Sequence, residues 1–299
     1  MDVSSKPEAL VASIPMGLMT GTGPLGLHPA GQFNFDPPPP GRAIYVEPSP
    51  KRVRVVVADE VVADSRSTML LHESGNQPVY YFPPEDVRQD LLEPSDTVTH
   101  CPKKGDASYH SIRVGEHQVR DAAWFYPEPL SGAPPIAGLI AFYWDRVDRW
   151  IEEEQEVFYH PRDPYHRIDI LPSSRHVRVL RKDTLLAEST RALVLFETGL
   201  PPRYYLPRED VSAELQPSDS VTGCPYKGTA SYLSVVVDGR TIEDIVWTYT
   251  DPLPEATPIA GRLAFYDERV DVELDGVMQE RPESPWSPKG ALPPSLTRG

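Results

Sequence analysis

The sequence predicts an all-β protein made of two tandem copies of a small β-tent or sandwich-like domain, and three observations lead to that fold class. Three strings recur in order along the 299 residues at a nearly constant offset, residues inside each copy alternate with a period of two, and Pro, Gly and Asp separate the alternating runs. Pro-rich segments lie before and after the copies.

The repeat sets the register for everything else. Tyr80-Tyr81-Phe82-Pro83-Pro84-Glu85-Asp86-Val87 recurs as Tyr204-Tyr205-Leu206-Pro207-Arg208-Glu209-Asp210-Val211, at an offset of 124. Cys101-Pro102-Lys103-Lys104-Gly105-Asp106-Ala107-Ser108-Tyr109 recurs as Cys224-Pro225-Tyr226-Lys227-Gly228-Thr229-Ala230-Ser231-Tyr232, at 123. The same 123 carries Trp124, Tyr126, Pro129, Ile136-Ala137-Gly138 and Ala141-Phe142-Tyr143 onto Trp247, Tyr249, Pro252, Ile259-Ala260-Gly261 and Ala264-Phe265-Tyr266. The offset falls by one because the first copy has an additional residue near Leu91-Leu92. Two units of full domain size are a tandem duplication rather than a solenoid. The matched residues run from about Val53 to Trp150 and from about Val177 to Gly276. The predicted organisation is a Pro-rich segment over 1–50, a first copy over 51–155, a linker over 156–175, a second copy over 176–277 and a Pro-rich tail over 278–299.

The period-two pattern is clearest where Val53, Val55 and Val57 alternate with Arg54, and where Val177 and Val179 flank Arg178. That spacing marks half-buried strands. Further β-rich runs in the second copy are Ala192–Glu197, Arg203–Leu206, Ser220–Cys224, Ala230–Val237, Thr241–Tyr249 and Gly261–Tyr266, so seven or eight short strands per copy are expected. The ends read differently. Pro37–Pro40 are consecutive and the tail from Val277 carries five prolines, so these segments bury too little apolar area to offset their ordering entropy and are expected to be extended or flexible.

Composition narrows the function. A net charge of -15, from 29 Lys plus Arg against 44 Asp plus Glu, repels phosphate backbones and anionic lipid, which disfavours nucleic-acid and membrane partners. No apolar run reaches the ~20 residues of a membrane span, and the N-terminus lacks a basic segment leading into an apolar one, so a cytoplasmic location is expected. Two cysteines suit a reducing compartment and are too few for a disulfide scaffold or a four-thiolate zinc site. No metal and no cofactor is expected.

Strand parity separates core from candidate site. In Ala230–Val237, Leu233, Val235 and Val237 share one face, while Tyr232 and Ser234 face the other way, as Tyr109 and Ser111 do in the first copy. Cys224 shares parity with Thr222 and Ser220, so thiol, hydroxyls and Tyr232 are expected on one non-core face. Lys227 follows Cys224 by three residues, and a nearby ammonium favours the nucleophilic thiolate. Glu197 ends a β run and offers a carboxylate beside the lysine. Cys224, Lys227 and Glu197 are therefore the candidate catalytic residues, against a reading in which Cys is a small buried residue and Lys a solvated turn residue. Trp247 and Tyr249 share a strand face and offer rings for stacking or for core packing. Arg191 and Arg208 are candidate anion-binding residues confined to the second copy, because Ser67 and Pro84 stand at the matching places. Tyr205 and Tyr232 complete the candidate binding set. The first-copy equivalents are Glu73, Tyr81, Cys101, Lys104, Tyr109, Trp124 and Tyr126. No His recurs as a general base, since His72, His100, His110 and His117 lack counterparts, and scattered surface positions are expected for them.

The string from Glu197-Thr198-Gly199 through Tyr204-Tyr205-Leu206-Pro207-Arg208-Glu209-Asp210-Val211, with Thr222-Gly223-Cys224-Pro225-Tyr226-Lys227-Gly228-Thr229-Ala230-Ser231-Tyr232 and Trp247-Thr248-Tyr249, resembles the family catalogued as domain of unknown function 427. The resemblance covers both copies. It implies a compact β-tent type of fold, and it carries a nucleotidyltransferase label whose metal- and triphosphate-binding residues are not visible here. Related tents hold zinc with two C-x-x-C pairs, which this chain lacks. The first copy departs from the pattern at Ser67, Ser74, Pro84 and Lys103, which directs attention to the second.

The residues support three readings of function. The first is a small-molecule pocket in the second copy, built from Glu197, Tyr205, Cys224, Lys227 and Tyr232, with covalent or acid/base chemistry left open. The second is a non-catalytic interaction module whose Pro-rich N-terminus engages a protein partner in polyproline form. The third is a nucleotidyltransferase-like enzyme.

Overall fold

The structure is a computed structural model that describes residues 17–19, 21–29, 31–282, 284, 286 and 287 of the chain. The chain divides into two compact units, one of Pro15–Tyr165 and one that contains His166–Gly299, each holding one copy. Among the described residues nearly all regular structure is β, as the alternating runs predict, and no helix is long and apolar enough to cross a membrane.

In the first copy the strands are β1 (Ile44–Pro48), β2 (Val53–Val57), β3 (Glu60–Ser65), β4 (Met69–Glu73), β5 (Val79–Phe82), β6 (Leu92–Cys101), β7 (Gly105–Val114), β8 (His117–Phe125), β9 (Ile140–Phe142), β10 (Arg149–Glu152) and β11 (Gln155–Val157). They form a large sheet in the order β1-β4-β5-β9-β8-β7-β6 and a small one in the order β11-β10-β2-β3. The second copy has β12 (Ile168–Pro172), β13 (Val177–Arg181), β14 (Thr184–Ser189), β15 (Leu193–Glu197), β16 (Arg203–Tyr205), β17 (Glu214–Cys224), β18 (Gly228–Val237), β19 (Arg240–Thr248), β20 (Leu263–Phe265), β21 (Asp271–Leu274) and β22 (Val277–Met278). Its orders β12-β15-β16, β17-β18-β19-β20 and β14-β13-β21-β22 repeat the first copy, because Leu206 and Leu263 exchange backbone hydrogen bonds of 2.8 and 2.9 Å across the one break. The additional residue near Leu91 also has a structural trace. The first copy carries a 3-10 turn at Gln89–Leu91 that has no second-copy equivalent.

Each large sheet is buried on both faces. In the second copy Val177, Val179, Leu206, Val235, Ile245 and Phe265 pack between the sheets, while Leu195, Tyr205, Ala230, Tyr232, Trp247, Tyr249 and Ile259 form a second, aromatic cluster on the opposite face. The first copy repeats this with Val53, Val55, Phe82 and Phe142 on one side and Tyr81, Tyr109, Tyr126 and Ile136 on the other. The double burial explains why Tyr80-Tyr81-Phe82 is apolar throughout: Tyr80 and Phe82 enter one cluster and Tyr81 the other. It also corrects one expectation. The face shared by Tyr232 and Cys224 is the predicted one, yet it is a second core rather than an open surface.

The copies begin earlier than composition predicts. β1 lies inside the segment read as a Pro-rich lead, and β12 inside the segment read as a linker. Both are edge strands that end in proline, a position where the missing N–H breaks no ladder bond, so Pro48 and Pro172 hid them. The described part of the N-terminal segment packs on the first copy: Met19 is buried, its carbonyl accepts from the Gly75 N–H at 3.2 Å, and the Ser74 hydroxyl donates to the Leu25 carbonyl at 2.9 Å.

Candidate functional site

The Cys-Pro-x-Lys-Gly strings form the turns that join β6 to β7 and β17 to β18. Gly228 sits at φ +94°, and a Cβ there would lie 3.4 Å from the Leu253 nitrogen, which donates to the Lys227 carbonyl at 3.0 Å. Gly105 does the same at φ +102°, with the Leu130 N–H donating to the Lys104 carbonyl at 3.0 Å. Glycine is favoured by the left-handed backbone at both positions, where a Cβ would meet its neighbours only at ordinary contact distance. The turn so fixed sends its lysine inward.

Lys227 and Glu197 are both buried and pair directly, and Lys104 pairs with Glu73 in the same way. The carboxylate and the lysine therefore meet in both copies, although they are about 30 residues apart in sequence. Burial alone would raise the Glu197 carboxyl, but Lys227 and the imidazole of His166 outweigh it and hold the group at about 2. The Glu73 carboxyl is likewise lowered against its burial by Lys104 and Lys103.

Beyond this pair the copies diverge. In the second, His166 Nε2 lies 3.2 Å from Glu197 Oε1 and its ring stacks on Tyr226 with centroids 3.8 Å apart. In the first, Lys103 stands in place of Tyr226 and puts a second ammonium 2.9 Å from Glu73. Surface placement was expected for the first-copy histidines, and His72 corrects it: the residue is buried, with Nε2 at 2.9 Å from Glu47 Oε1.

Around Lys227 the aromatic cluster is tied together by the Trp247 Nε1–H, which donates to the Tyr205 hydroxyl at 3.0 Å. Burial pushes the Tyr205 and Tyr249 hydroxyls well above their ordinary range, so both stay protonated. The expected activation of Cys224 is reversed for the same reason. Burial raises the thiol, Lys227 pulls it down less, and Glu197, which already holds that lysine, adds to the rise. Neither cysteine is in a disulfide.

The polar face opens at its far side. The Thr222 hydroxyl lies 2.9 Å from that of Tyr232, which lies 3.1 Å from that of Tyr266, whose ring is 4.6 Å from Trp247. This ladder borders a cleft of about 470 Å³, also lined by Asp219, Ser220, Asp244, Arg269 and Trp286. The cleft has a backbone origin. Register shifts interrupt β17 between Pro217 and Val221 and the β18–β19 pairing between Leu233 and Val235, and Asp244 takes φ +51° there. Such bulges bend strands and re-aim side chains. The first copy has the same shifts and the same ladder, Thr99–Tyr109 at 2.8 Å and Tyr109–Tyr143 at 3.3 Å.

The arginines expected to bind an anion do not join the site. Arg191 lies beyond the end of β15 opposite to Glu197 and is paired with Asp210 at 2.5 Å and Glu209 at 3.3 Å, and Arg208 is an exposed residue of the neighbouring 3-10 turn. Sequence reasoning missed His166, Asp244, Tyr266, Arg203 and Trp286. Arg203 is buried beside Glu268, with Nη1 at 3.0 Å from Oε2, and lies 5.6 Å from the Trp286 ring; the Ser284 hydroxyl donates to Glu268. Asp267, 3.5 Å from Arg203, is pushed up to about 7 by burial. The available signals were the recurrence of Tyr143 as Tyr266 and of Asp121 as Asp244, both at the offset of 123. His166 and Trp286 lie outside the repeated strings. Among the described residues no group of three or more His, Cys, Asp or Glu side chains is placed to hold a metal ion.

Comparison with known families matches the chain to the family described as Domain of unknown function (DUF427), over residues 45–153 and again over 169–276. These bounds begin one residue inside β1 and one residue inside β12. No curated protein matches the chain.

Proposed function

The chain belongs to the family described as Domain of unknown function (DUF427), and from that premise we propose that its second domain binds a small polar molecule in the cleft beside Tyr232 and Tyr266. The observation that carries the reading is the ladder of three hydroxyls, Thr222, Tyr232 and Tyr266, standing on a rigid strand face and ending in a cleft of small-molecule size. Glu197 and Lys227 support it from behind as a fixed, mutually neutralising pair, and Tyr205, Trp247 and Tyr249 support it as packed walls. With Cys224 held as a thiol, the reading is reversible binding rather than covalent chemistry. Two unpaired cysteines favour a reducing, cytoplasmic setting.

The test is ligand-observed magnetic resonance of the full chain against a panel of small polar metabolites, repeated with Tyr232→Phe and Tyr266→Phe. The expected result is at least one binder whose signal falls about tenfold in the double variant. A panel that behaves identically on both proteins overturns the reading. A second reading, protein docking through the N-terminal region, draws on the exposed Phe33 and Phe35, with rings 4.8 Å apart beside Pro37 and Pro38. Replacing both with Ser would remove a partner without touching the ligand panel.

A further inference from the structure

The charge and ring pattern of the cleft narrows the class of ligand, provided that the cleft binds a small molecule as proposed. Three aromatic faces converge there. Tyr232 and Tyr266 lie nearly parallel, 11° apart with centroids at 6.3 Å, and Trp286 stands 6.2 Å from Tyr266. Two carboxylates, Asp219 and Asp244, face one cation, Arg269, whose guanidinium donates to the Glu243 and Asp244 carbonyls at 2.8 and 3.1 Å.

Asp244 is left half satisfied. Its Oδ2 accepts the Ser220 hydroxyl at 2.6 Å, while its buried Oδ1 has no hydrogen-bond partner. A buried carboxylate oxygen without a donor is costly, so the charge of Asp244 is one that a cation in the cleft would offset.

The first copy shows how the same elements look when they are filled from within. Asp121, the counterpart of Asp244, accepts the Thr97 hydroxyl at 2.9 Å, as Asp244 accepts that of Ser220. The face of Tyr143, the counterpart of Tyr266, is covered by the Arg146 guanidinium 4.3 Å from the ring centroid. In the second copy no cation lies over Tyr266 among the described residues, and Trp286 borders the space instead. The first copy thus seats Arg146 on its ring, whereas Arg269, the counterpart of Arg146, bonds the matching backbone carbonyls and lines the cleft beside Tyr266.

We infer that the second-copy cleft takes an alkylammonium ligand, its charge held over the Tyr266 and Trp286 rings and beside the carboxylates of Asp219 and Asp244. Cation–π attraction and the countercharge of Asp219 act together at such a site. The chain's net charge of -15 adds a long-range bias toward cations.

The experiment uses the full chain and three probes of one frame: benzylamine, benzyl alcohol and benzoate. Binding is read by saturation transfer and by Trp286 fluorescence, with Trp286→Ala and Asp244→Asn as variants. Asn tolerates the left-handed backbone at 244 and still accepts from Ser220, so the fold is kept. The expected result is benzylamine bound at least about tenfold more tightly than benzyl alcohol, with that preference lost in Asp244→Asn and binding lost in Trp286→Ala. Equal or tighter binding of benzyl alcohol or benzoate, still dependent on Trp286, overturns the cation assignment while leaving small-molecule binding in place. No binding of any probe overturns the assignment too. If the metabolite panel is then also blank, the proposed small-molecule function falls with it.

Discussion

The two copies keep one charged pair and change what stands next to it. Glu73–Lys104 and Glu197–Lys227 are buried in the same place on the same turn, yet the first is joined by Lys103 and the second by His166 stacked on Tyr226. The same division runs through the ladder, where Arg146 covers Tyr143 while Tyr266 faces a cleft. The pair is architecture, since it anchors the inward lysine of a turn whose backbone is already pinned by Leu130 or Leu253. Function is to be sought in what differs, and substitutions of each kind separate the shared part from the divergent part.

The largest expected effect falls on the pair itself. Lys227→Met removes the main partner of a buried carboxylate and should destabilise the second domain by about 3–5 kcal/mol, because the His166 imidazole that remains is a weaker partner than an ammonium. Lys104→Met should cost the first domain roughly half as much, because Lys103 remains 2.9 Å from Glu73. Urea unfolding of the full chain, followed by hydrogen exchange in each domain, measures both. Equal losses would show that the third partner is energetically irrelevant and would dissolve the contrast.

Acid separates the copies next. Glu197 titrates at about 2 when folded and near 4.3 when unfolded, so the stability it supplies is present above about pH 4.3 and is lost as pH falls toward 2. Asp267 has the opposite sign. Its folded value of about 7 lies above the unfolded ~3.9, so its contribution is full below ~3.9 and is lost as pH rises through 7. The second domain should therefore lose stability between pH 4 and 7 with a slope of at most about 1.4 kcal/mol per pH unit, and Asp267→Asn should flatten it. The first domain has Trp144 at the matching position and should lack this slope. A slope that persists in Asp267→Asn assigns it to another group.

Much of this was legible in the sequence, and the limits are physical. Duplication and strand parity follow from recurrence and side-chain alternation, which a single chain displays, and recurrence also carries Glu73 onto Glu197 and Lys104 onto Lys227. The tie from Ser74 and Gly75 to the N-terminal segment, the reach of His166 to Glu197 and the seating of Trp286 are long-range contacts with no periodic signature. The thiol was misjudged because a lysine three residues away reads as an activating charge, whereas its ammonium is committed to a carboxylate that the turn sequence does not contain. Edge strands β1 and β12 escaped because proline reads as punctuation even where it closes a strand.

Cys224 sets a smaller test of the same point. Its thiol is raised by burial, so alkylation of the folded protein at pH 8 should be at least about tenfold slower than for a free thiol of pKa ~8.5. Lys227→Met should not speed it at constant folding, because removing the cation raises the thiol further. A fast Cys224 in the native protein would restore the nucleophile that the geometry argues against.

The smallest effect is expected at Arg191, and it is informative for being small. The residue is absent from the first copy, where Ser67 stands, and so looks like a functional gain of the second. Its guanidinium is solvent-exposed and already held by Asp210 and Glu209 at the strand end away from Glu197, so Arg191→Ser removes a surface pair whose net value is within about 1 kcal/mol. Ligand affinity in the cleft should not change, because the residues that hold Arg191 are not among those that line it. A loss of affinity in this variant would move the site to the opposite end of β15 and make Arg191, rather than Trp286, the residue that distinguishes the two copies.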